Sequence, residues 1–262
     1  MKYKLQERNL SSHSGNSNGT DTRTPNHFLQ NSTLLLLLLL AGFGAQAQFG
    51  SMFGKNPIVN LENFDKQRLH WGYFLGFNNY DFKFDYKTPE GDVLVESTTG
   101  FNVGLVGNLR LHQNFDLRFE PGLYFNQRNL TFPGFTNPAD ALREVKSTYI
   151  HFPLLVKFSS KRLGNIRPYL IGGAGTALNL SSNAEAKDDN SNNRFRMIKW
   201  TNFYEAGIGI DVYFEYFKFS PSIRGIFSID DELVKDNDPN SPWTSNIGGM
   251  QTRGVFVNFT FH

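Results

Sequence analysis

The sequence contains no cysteine, and it has no apolar run long enough to cross a bilayer as a helix. Its most apolar stretch is the seven leucines at 34–40, whereas a transmembrane helix needs about 20 apolar residues. Without cysteine the chain has no disulfide bonds, and it can reside in an oxidising envelope without them. A disulfide framework and a helical membrane anchor are therefore both excluded.

The N-terminus has the three parts of a secretory leader. Residues 1–33 are polar with four basic side chains, the leucine run follows, and Ala45-Gln46-Ala47 provides a small-residue cleavage site. Basic, apolar and A-x-A regions in this order are typical of a signal peptide. We predict residues 1–47 to be the signal peptide, 48–68 a periplasmic lead-in, and 69–262 the folded domain.

The mature chain has little net charge. The whole sequence has 26 Lys and Arg against 24 Asp and Glu, and the predicted leader holds four of the bases and two of the acids, which leaves 22 of each. This balance gives no reason to propose a nucleic-acid or anionic-lipid partner. No small-molecule substrate is evident from the sequence either.

Apolar and polar residues alternate with period two in eight segments after residue 68. The clearest is 115–128, in which Phe115, Leu117 and Phe119 begin an apolar series that faces away from the polar one. This period is typical of a strand with one apolar face and does not fit an amphipathic helix. The eight predicted strands are 69–78, 101–111, 115–128, 147–159, 166–180, 201–214, 217–229 and 254–262.

Short and long connections also alternate. The turns near His112, Lys161 and Glu215 are short, while 131–146, 181–199 and 230–249 are long polar loops and 87–92 is intermediate. This pattern is typical of an outer-membrane barrel with both termini in the periplasm. Within the first hairpin the apolar phase flips from Tyr80 onward, which predicts a bulge or a strand that continues beyond the membrane.

A membrane barrel and a soluble barrel differ in which face of the strands, the apolar or the polar one, points outward. A soluble, lipocalin-like barrel needs many Lys and Glu on its outer face, but the polar side of these strands is mostly Gly, Asn and Ser with scattered charges. Aromatic residues make up 15% of the chain and suit interfacial girdles. We therefore predict an all-β fold, an eight-stranded antiparallel up-and-down transmembrane β-barrel in outer-membrane lipid.

The last strand resembles the signal that the barrel-assembly machinery reads. A glycine precedes alternating apolar residues up to a near-terminal aromatic residue, although His262 ends the chain. The residues of this predicted signal are Gly254, Val257, Phe259 and Phe261. The assembly machinery is therefore an expected partner.

Charged residues on the polar side of the strands are predicted to face the lumen. They are Arg110, Arg118, Arg128, Lys157, Arg167, Lys218 and Arg224, with Asp116, Glu120, Glu205 and Asp211. An eight-stranded barrel has room only for its own side chains, so these residues are predicted to form a packed ion-pair network rather than line a pore.

Few residues suggest chemistry. His151 with Glu205 or Asp211 could form an acid/base pair, but no G-x-S-x-G motif supplies a nucleophile. The acidic pieces 188–190 and 236–238 could bind calcium, yet neither has the spacing of a known calcium loop. We predict no catalytic residue, no metal and no cofactor.

Several segments in this order resemble PorT-type proteins. They are 60–65 (NLENFD), 69–72 (LHWG), 80–86 (YDFKFDY), 120–124 (EPGLY), 146–155 (KSTYIHFPLL) and 236–243 (DNDPNSPW). The resemblance implies a non-enzymatic outer-membrane component of the type IX secretion system, which exports proteases, adhesins and gliding-motility proteins, with other secretion components as partners. The alternatives are a porin-like or adhesion barrel and a lipid-modifying barrel enzyme.

Two segments outside the strands are predicted to contact a partner. Pro239, Pro242 and Trp243 combine a stiff backbone with an aromatic anchor in the last loop, and Phe64 lies in the lead-in. Tryptophan is enriched at interaction hot spots. The alternative for Trp243 is a place in the outer aromatic girdle.

Overall fold

The computed structural model describes residues 58–89, 91–186, 189–190 and 194–262. The predicted signal peptide and residues 48–57 of the lead-in lie outside this range. No helix in the described part of the chain is long and apolar enough to cross a membrane. The helical structure there is limited to a 3-10 turn, Phe64–Lys66, and a single α-helical turn, Pro138–Ala141.

Ten antiparallel strands form one closed sheet. They are β1 (Leu69–Tyr86), β2 (Leu94–Ser97), β3 (Thr99–Arg110), β4 (Phe115–Phe119), β5 (Gly122–Thr131), β6 (Leu142–Ser159), β7 (Ile166–Asn179), β8 (Trp200–Tyr213), β9 (Lys218–Ser228) and β10 (Ile247–Phe261). Strand β1 pairs with both β3 and β10, which closes the ring. Because β2 continues into β3 and β4 into β5, eight passes of chain form the wall. The predicted eight-stranded barrel is confirmed.

The break between β4 and β5 falls at Glu120 and Pro121. Proline has no backbone N–H to donate to a neighbouring strand, so the ladder is interrupted there. The Pro121 carbonyl still accepts from the Leu105 N–H at 2.9 Å. Phe119 and Leu123, on either side of the break, both remain on the outer face, so the predicted alternation continues through it.

Strand β1 passes through the predicted phase flip without a bulge. Its pairing with β10 is regular from Tyr73 to Asp85, and the register shifts only between Asp85 and Tyr86. Tyr80 and Phe82 are buried on the same face as Phe74. Of the two predicted alternatives, the bulge is not observed at the flip, and β1 instead continues as one strand to Tyr86. The apolar phase changes because the interior itself becomes apolar toward this end of the barrel.

The outer face is apolar and aromatic along every pass, and the exposed residues include Trp71, Phe77, Leu105, Leu154 and Ile208. Inside, small residues make room for large ones. A Cβ at Gly104 or Gly122 would lie 2.5 or 2.7 Å from the ring of Phe74. The interior is thus filled by its own side chains, as an eight-stranded barrel requires.

The two ends of the barrel differ. Short turns at 111–114, 160–165 and 214–217 lie together with the C-terminus at what we call the turn end. The connections 87–93, 132–141, 180–199 and 229–246 lie at the opposite, loop end. Strand β6 begins at Leu142, earlier than predicted, so the loop before it is shorter than 131–146.

Candidate functional site

The half of the interior nearer the turn end contains a cluster of four buried charges around Glu120. Arg224 donates to both carboxylate oxygens of Glu120, at 2.5 and 3.0 Å, and Arg118 donates to one of them at 3.1 Å. Glu205 lies 3.8 Å from Arg224 and completes a set of two cations and two acidic groups. The four side chains are at most 3% exposed.

Residues from distant parts of the chain build this cluster. Arg118 projects from β4, Glu205 from β8 and Arg224 from β9, while Glu120 lies at the proline-associated break. The Nε of Arg118 donates to Asn108 on β3 at 3.1 Å. Buried charges are tolerated only when they are paired and hydrogen-bonded, and this arrangement meets that condition for Glu120.

A second buried cluster centres on Asp211. Lys157 donates to both of its carboxylate oxygens, at 2.8 and 2.6 Å, and the Ser220 hydroxyl donates to Oδ1 at 2.6 Å. Lys218 is also buried in this region. These residues come from β6, β8 and β9, so the cluster links three passes of the wall.

Not every predicted lumen charge belongs to these clusters. Arg110 and Asp116 face each other across β3 and β4, beside the turn 111–114, but both are only partly buried and form no ion pair with any described residue. Solvent reaches this edge of the sheet. Arg110 and Asp116 therefore lie at the edge of the predicted network, outside its ion pairs. The other predicted residues lie in or beside the two clusters; they are Arg118, Glu120, Lys157, Arg167, Glu205, Asp211, Lys218 and Arg224.

The lead-in closes the turn end. Asp65 accepts a hydrogen bond from the Tyr213 hydroxyl at 2.5 Å and forms ion pairs with Arg167 at 3.2 Å and Lys218 at 4.0 Å. The ring of Phe64 lies 5.0 Å from that of His70 and 4.7 Å from the Lys218 ammonium. We call residues 58–66 the turn-end plug.

The start of the plug is held by the β6–β7 turn. The Asn60 N–H donates to the Asn165 side chain at 2.9 Å, and Asn165 in turn donates to the Ile58 carbonyl at 2.8 Å. Arg162 donates to the backbone carbonyls of Asn60 and Leu61. The predicted contact residue Phe64 therefore packs within its own chain.

The middle of the interior is an aromatic layer around His151. The His151 ring stacks on Tyr124 at 4.2 Å, and its Nε2 lies 3.1 Å from the Tyr80 hydroxyl. No hydrogen bond or ion pair joins His151 to Glu205 or Asp211 in the described structure. The acid/base pair considered from the sequence is thus not assembled. A cavity of about 20 Å³ beside this layer has room for about one water.

The loop end is closed by an apolar cluster. Its buried members are Phe82, Val93, Leu130, Phe132, Val145, Phe195, Met197, Leu233, Ile247 and Met250. Arg128 lies beneath it, with its guanidinium 3.7 Å from the Phe82 ring and hydrogen bonds to Thr252, Ser147 and Tyr149. Burial raises the pKa of Glu232, whose carboxylate accepts from Thr252.

The two acidic pieces weighed as calcium sites meet around Arg196. Its guanidinium contacts Asp189 and Asp236, each at 3.1 Å. Asp189 also accepts from the backbone N–H groups of Asn237 and Asp238, and Asp188 lies outside the described residues. Within the described ranges no cluster of His, Cys, Asp or Glu could hold a metal ion. We call this ion-paired group the loop clasp.

Trp243 takes part in the same loop packing. Its ring stacks on Phe135 at 5.5 Å, the Arg143 guanidinium lies 4.8 Å from it, and its Nε1 donates to the Asp140 carbonyl at 3.2 Å. Pro239 and Pro242 are exposed. Trp243 therefore belongs to the closed loop end and not to the lipid-facing girdle.

The comparisons with known proteins concern the barrel. The family model described as "Outer membrane protein beta-barrel domain" matches residues 45–234, a range that includes β1 to β9. No curated protein matches the chain significantly. The outer membrane protein OprG from Pseudomonas aeruginosa is 15% identical with a TM-score of 0.37, and the alignment covers 74% of this chain and 94% of that one.

Two further solved structures are similar at the same level. Outer membrane protein AlkL, determined in lipid bilayers, is 12% identical with a TM-score of 0.37 over 79% of this chain and 93% of that one. Ail, the attachment invasion locus protein of Yersinia pestis, is 10% identical with a TM-score of 0.31 over 73% of this chain and 96% of that one.

Proposed function

The chain belongs to the outer membrane protein beta-barrel domain family, and from its resemblance to PorT-type proteins we propose that it is a non-enzymatic barrel required for type IX protein secretion. Its role is to support the assembly or stability of the translocation machinery that exports proteases, adhesins and gliding-motility proteins. Its own lumen is not the conduit. Other secretion components are its partners.

The closed interior is the observation that carries this proposal. The turn-end plug covers one mouth, the apolar cluster fills the other, and paired charges and aromatic rings occupy the space between. A folded cargo protein cannot pass through such a lumen. The surfaces left for function are the outer wall, the loops and the turn end.

The segments that resemble PorT-type proteins support the assignment by their positions. Residues 60–65 lie within the turn-end plug, 120–124 contain the strand break with Glu120, and 236–243 contribute to the loop clasp. A barrel selected only to span the membrane would need the outward apolar face and little more. Here the resemblance falls on residues that close and brace the interior.

The alternatives have less support. A porin needs an open water-filled lumen, which the packed interior does not provide. A lipid-modifying enzyme needs an activated nucleophile, and His151 contacts aromatic rings and a tyrosine hydroxyl instead of a serine and an acid. An adhesion barrel remains the second candidate, because the exposed loop residues 237–240 could contact another surface.

The proposed orientation places the turn end and both termini in the periplasm. Short turns face the periplasm in outer-membrane barrels, and an even number of passes returns the chain to the side on which it began. Residues 1–47 serve as the export signal. Val257, Phe259 and Phe261 lie on the outer parity of β10 and, with Gly254, would be read by the barrel-assembly machinery.

The proposed partner contact moves to the exposed tip of the last loop. Trp243 is already held by Phe135, Arg143 and Asp140, so its replacement by alanine would disturb the loop end whether or not it touches a partner. Residues 237–240 are exposed and lie beside the clasp. Photo-crosslinkers at Asn240 and at Glu62 on the plug would sample both candidate surfaces without removing a packing residue.

A deletion strain tests the secretory role. We expect cargo to accumulate in the periplasm, and we expect the full chain expressed in trans to restore export. Normal export with altered permeability to small solutes would favour the porin-like alternative, and altered lipid acylation would favour the enzyme. A crosslink from Asn240 or Glu62 to a secretion component would identify the contact surface. Normal export in the deletion strain would contradict the proposal.

A further inference from the structure

A basic groove lies on the outer rim of the turn end. It has a volume of about 460 Å³, and its lining includes Lys66, Arg68, Arg110 and His112 with Leu109 and Leu111. The bases come from the end of the plug, the start of β1, the end of β3 and the following turn. The fold therefore gathers four basic side chains from separate segments at one edge of the barrel.

None of these basic side chains forms an ion pair with a described residue. Within the described ranges neither Arg68 nor Arg110 forms an ion pair, and Lys66 donates only to the neutral side chain of Asn63, at 2.9 Å. Asp65, on the plug, is occupied by Arg167 and Tyr213. Asp116 lies opposite Arg110 in the β3–β4 register but forms no ion pair with it. The mature chain is neutral overall, yet this edge carries an excess of positive charge.

The position of the groove determines which anion it can meet. Leu111 is 59% exposed and Leu69 is 50% exposed, and both belong to the outer apolar face where it ends at the turns. A lipid headgroup lies at the depth where an apolar band gives way to polar turns. A ligand there would place acyl chains against the leucines and its charged group against the bases.

We propose that the groove binds the phosphate headgroup of an anionic phospholipid in the periplasmic leaflet, of the phosphatidylglycerol class. Arg68 and Arg110 contact the phosphate, with Lys66 and His112 at the rim. Arginine suits this role because its planar guanidinium can donate two parallel hydrogen bonds to phosphate. The proposal rests on the proposed orientation of the barrel and is independent of the role in secretion.

The test uses the full chain reconstituted in phosphatidylethanolamine vesicles that contain a minor share of spin-labelled phosphatidylglycerol. The fraction of spin label whose motion is restricted by the protein reports the affinity for phosphatidylglycerol relative to that for the surrounding phosphatidylethanolamine. We expect wild type to prefer phosphatidylglycerol, and Arg68→Gln with Arg110→Gln to lower the preference by about fivefold for each cation removed. The control, Lys83→Gln with Arg253→Gln, removes two exposed cations near the loop end and should keep the preference.

Further arms separate the possible outcomes. Arg68→Lys with Arg110→Lys should retain most of the preference, and this variant remains informative if the glutamine variant does not fold. Inorganic phosphate added to the vesicles should compete weakly, because it lacks the acyl chains. Strong competition by phosphate would identify a free-anion site and overturn the lipid assignment. An equal preference in wild type and the glutamine variant would overturn the proposal altogether.

Discussion

The two halves of the interior use different interactions to stay closed. Toward the turn end, Glu120, Arg224, Asp211 and Lys157 form directional ion pairs between residues far apart in the chain. Toward the loop end, an apolar cluster that includes Leu130 fills the interior, and the ion pairs of Arg196 lie among the loops, in the loop clasp. Both regions are fully buried, so burial alone does not explain the difference.

The surroundings of the wall provide a physical explanation. Where lipid surrounds the barrel, the outside is as apolar as any core, so moving an apolar side chain inward gains little. Ion pairs and hydrogen bonds in the lumen then favour one arrangement of the strands. Beyond the membrane the loops meet water again, and burial of apolar side chains becomes favourable. The apolar cluster lies at that end, among the loops.

The largest effect is expected from a substitution in the ion-paired half of the interior, toward the turn end. Arg224→Ala leaves Glu120 with Arg118 as its only ion-pair partner within the described structure, and it also removes the partner of Glu205. Loss of one member of a buried ion pair costs about 3–5 kcal/mol. We expect the free energy of unfolding, measured by urea titration in lipid vesicles, to fall by about that amount, and secretion to fall only with protein abundance.

Glu205→Ala is the matched comparison. Glu205 is 3.8 Å from Arg224 and forms no hydrogen bond with it, whereas Glu120 accepts two. Its removal should therefore cost less than that of Arg224. Variants that fold and accumulate normally but lose secretion would contradict a structural role for these charges.

The second prediction concerns the apolar half. Leu130 is fully buried in the loop-end cluster, and Leu130→Ala should lower the free energy of unfolding by about 3 kcal/mol through lost burial and a residual cavity. Leu105, which is exposed on the outer wall, provides the control, since Leu105→Ala leaves no interior cavity. Equal costs at the two positions would mean that the loop-end cluster does not behave as a packed core.

Period-two alternation was sufficient to predict the eight passes and the face of each that points outward. It could not give the depth of a residue along the strand. Arg110 and Asp116 share the inward parity of Arg118 and Glu120, but they lie at the edge of the sheet. The flip at Tyr80 was ambiguous for the same reason, since alternation cannot distinguish a bulge from an interior that turns apolar.

The period-two pattern could not predict the contacts of the segments that close the two ends of the barrel. Asp65 and Arg196 lie outside the strands, and each makes its contacts with residues distant in the chain or in another loop. No period relates such residues. The segments 60–65 and 236–243 resemble PorT-type proteins, and separately Phe64, Pro239, Pro242 and Trp243 were predicted to contact a partner. Pairing within the same chain accounts for the observed geometry.

A smaller effect is expected from loosening the turn-end plug. Asp65→Asn removes the charge that pairs with Arg167 and Lys218 but leaves the strands intact. We expect faster proteolysis of residues 58–66 in micelles and little change in the unfolding of the barrel. Glu62→Gln, at an exposed plug position, is the control and should leave proteolysis unchanged. Equal protection in wild type and Asp65→Asn would mean that the ion pairs do not hold the plug.

The smallest effect is a pH dependence of the loop clasp. Hydrogen bonds from the backbone N–H groups of Asn237 and Asp238 hold the pKa of Asp189 below its usual range. A depressed pKa means that the ionised carboxylate stabilises the clasp above the pKa of the unfolded chain, about 3.9, and that this contribution is lost as the pH falls through the folded value. We expect the amides of Asn237 and Asp238 to lose protection from hydrogen exchange, relative to their intrinsic rates, as the pH falls below about 3.9. Asp189→Asn should lower their protection at neutral pH and remove the acid dependence.

The control is Asp85→Asn, at an exposed aspartate away from the clasp, which should leave both the protection of these amides and its acid dependence unchanged. An acid dependence that persists in Asp189→Asn would assign the titration to another group, such as Asp236, which also pairs with Arg196.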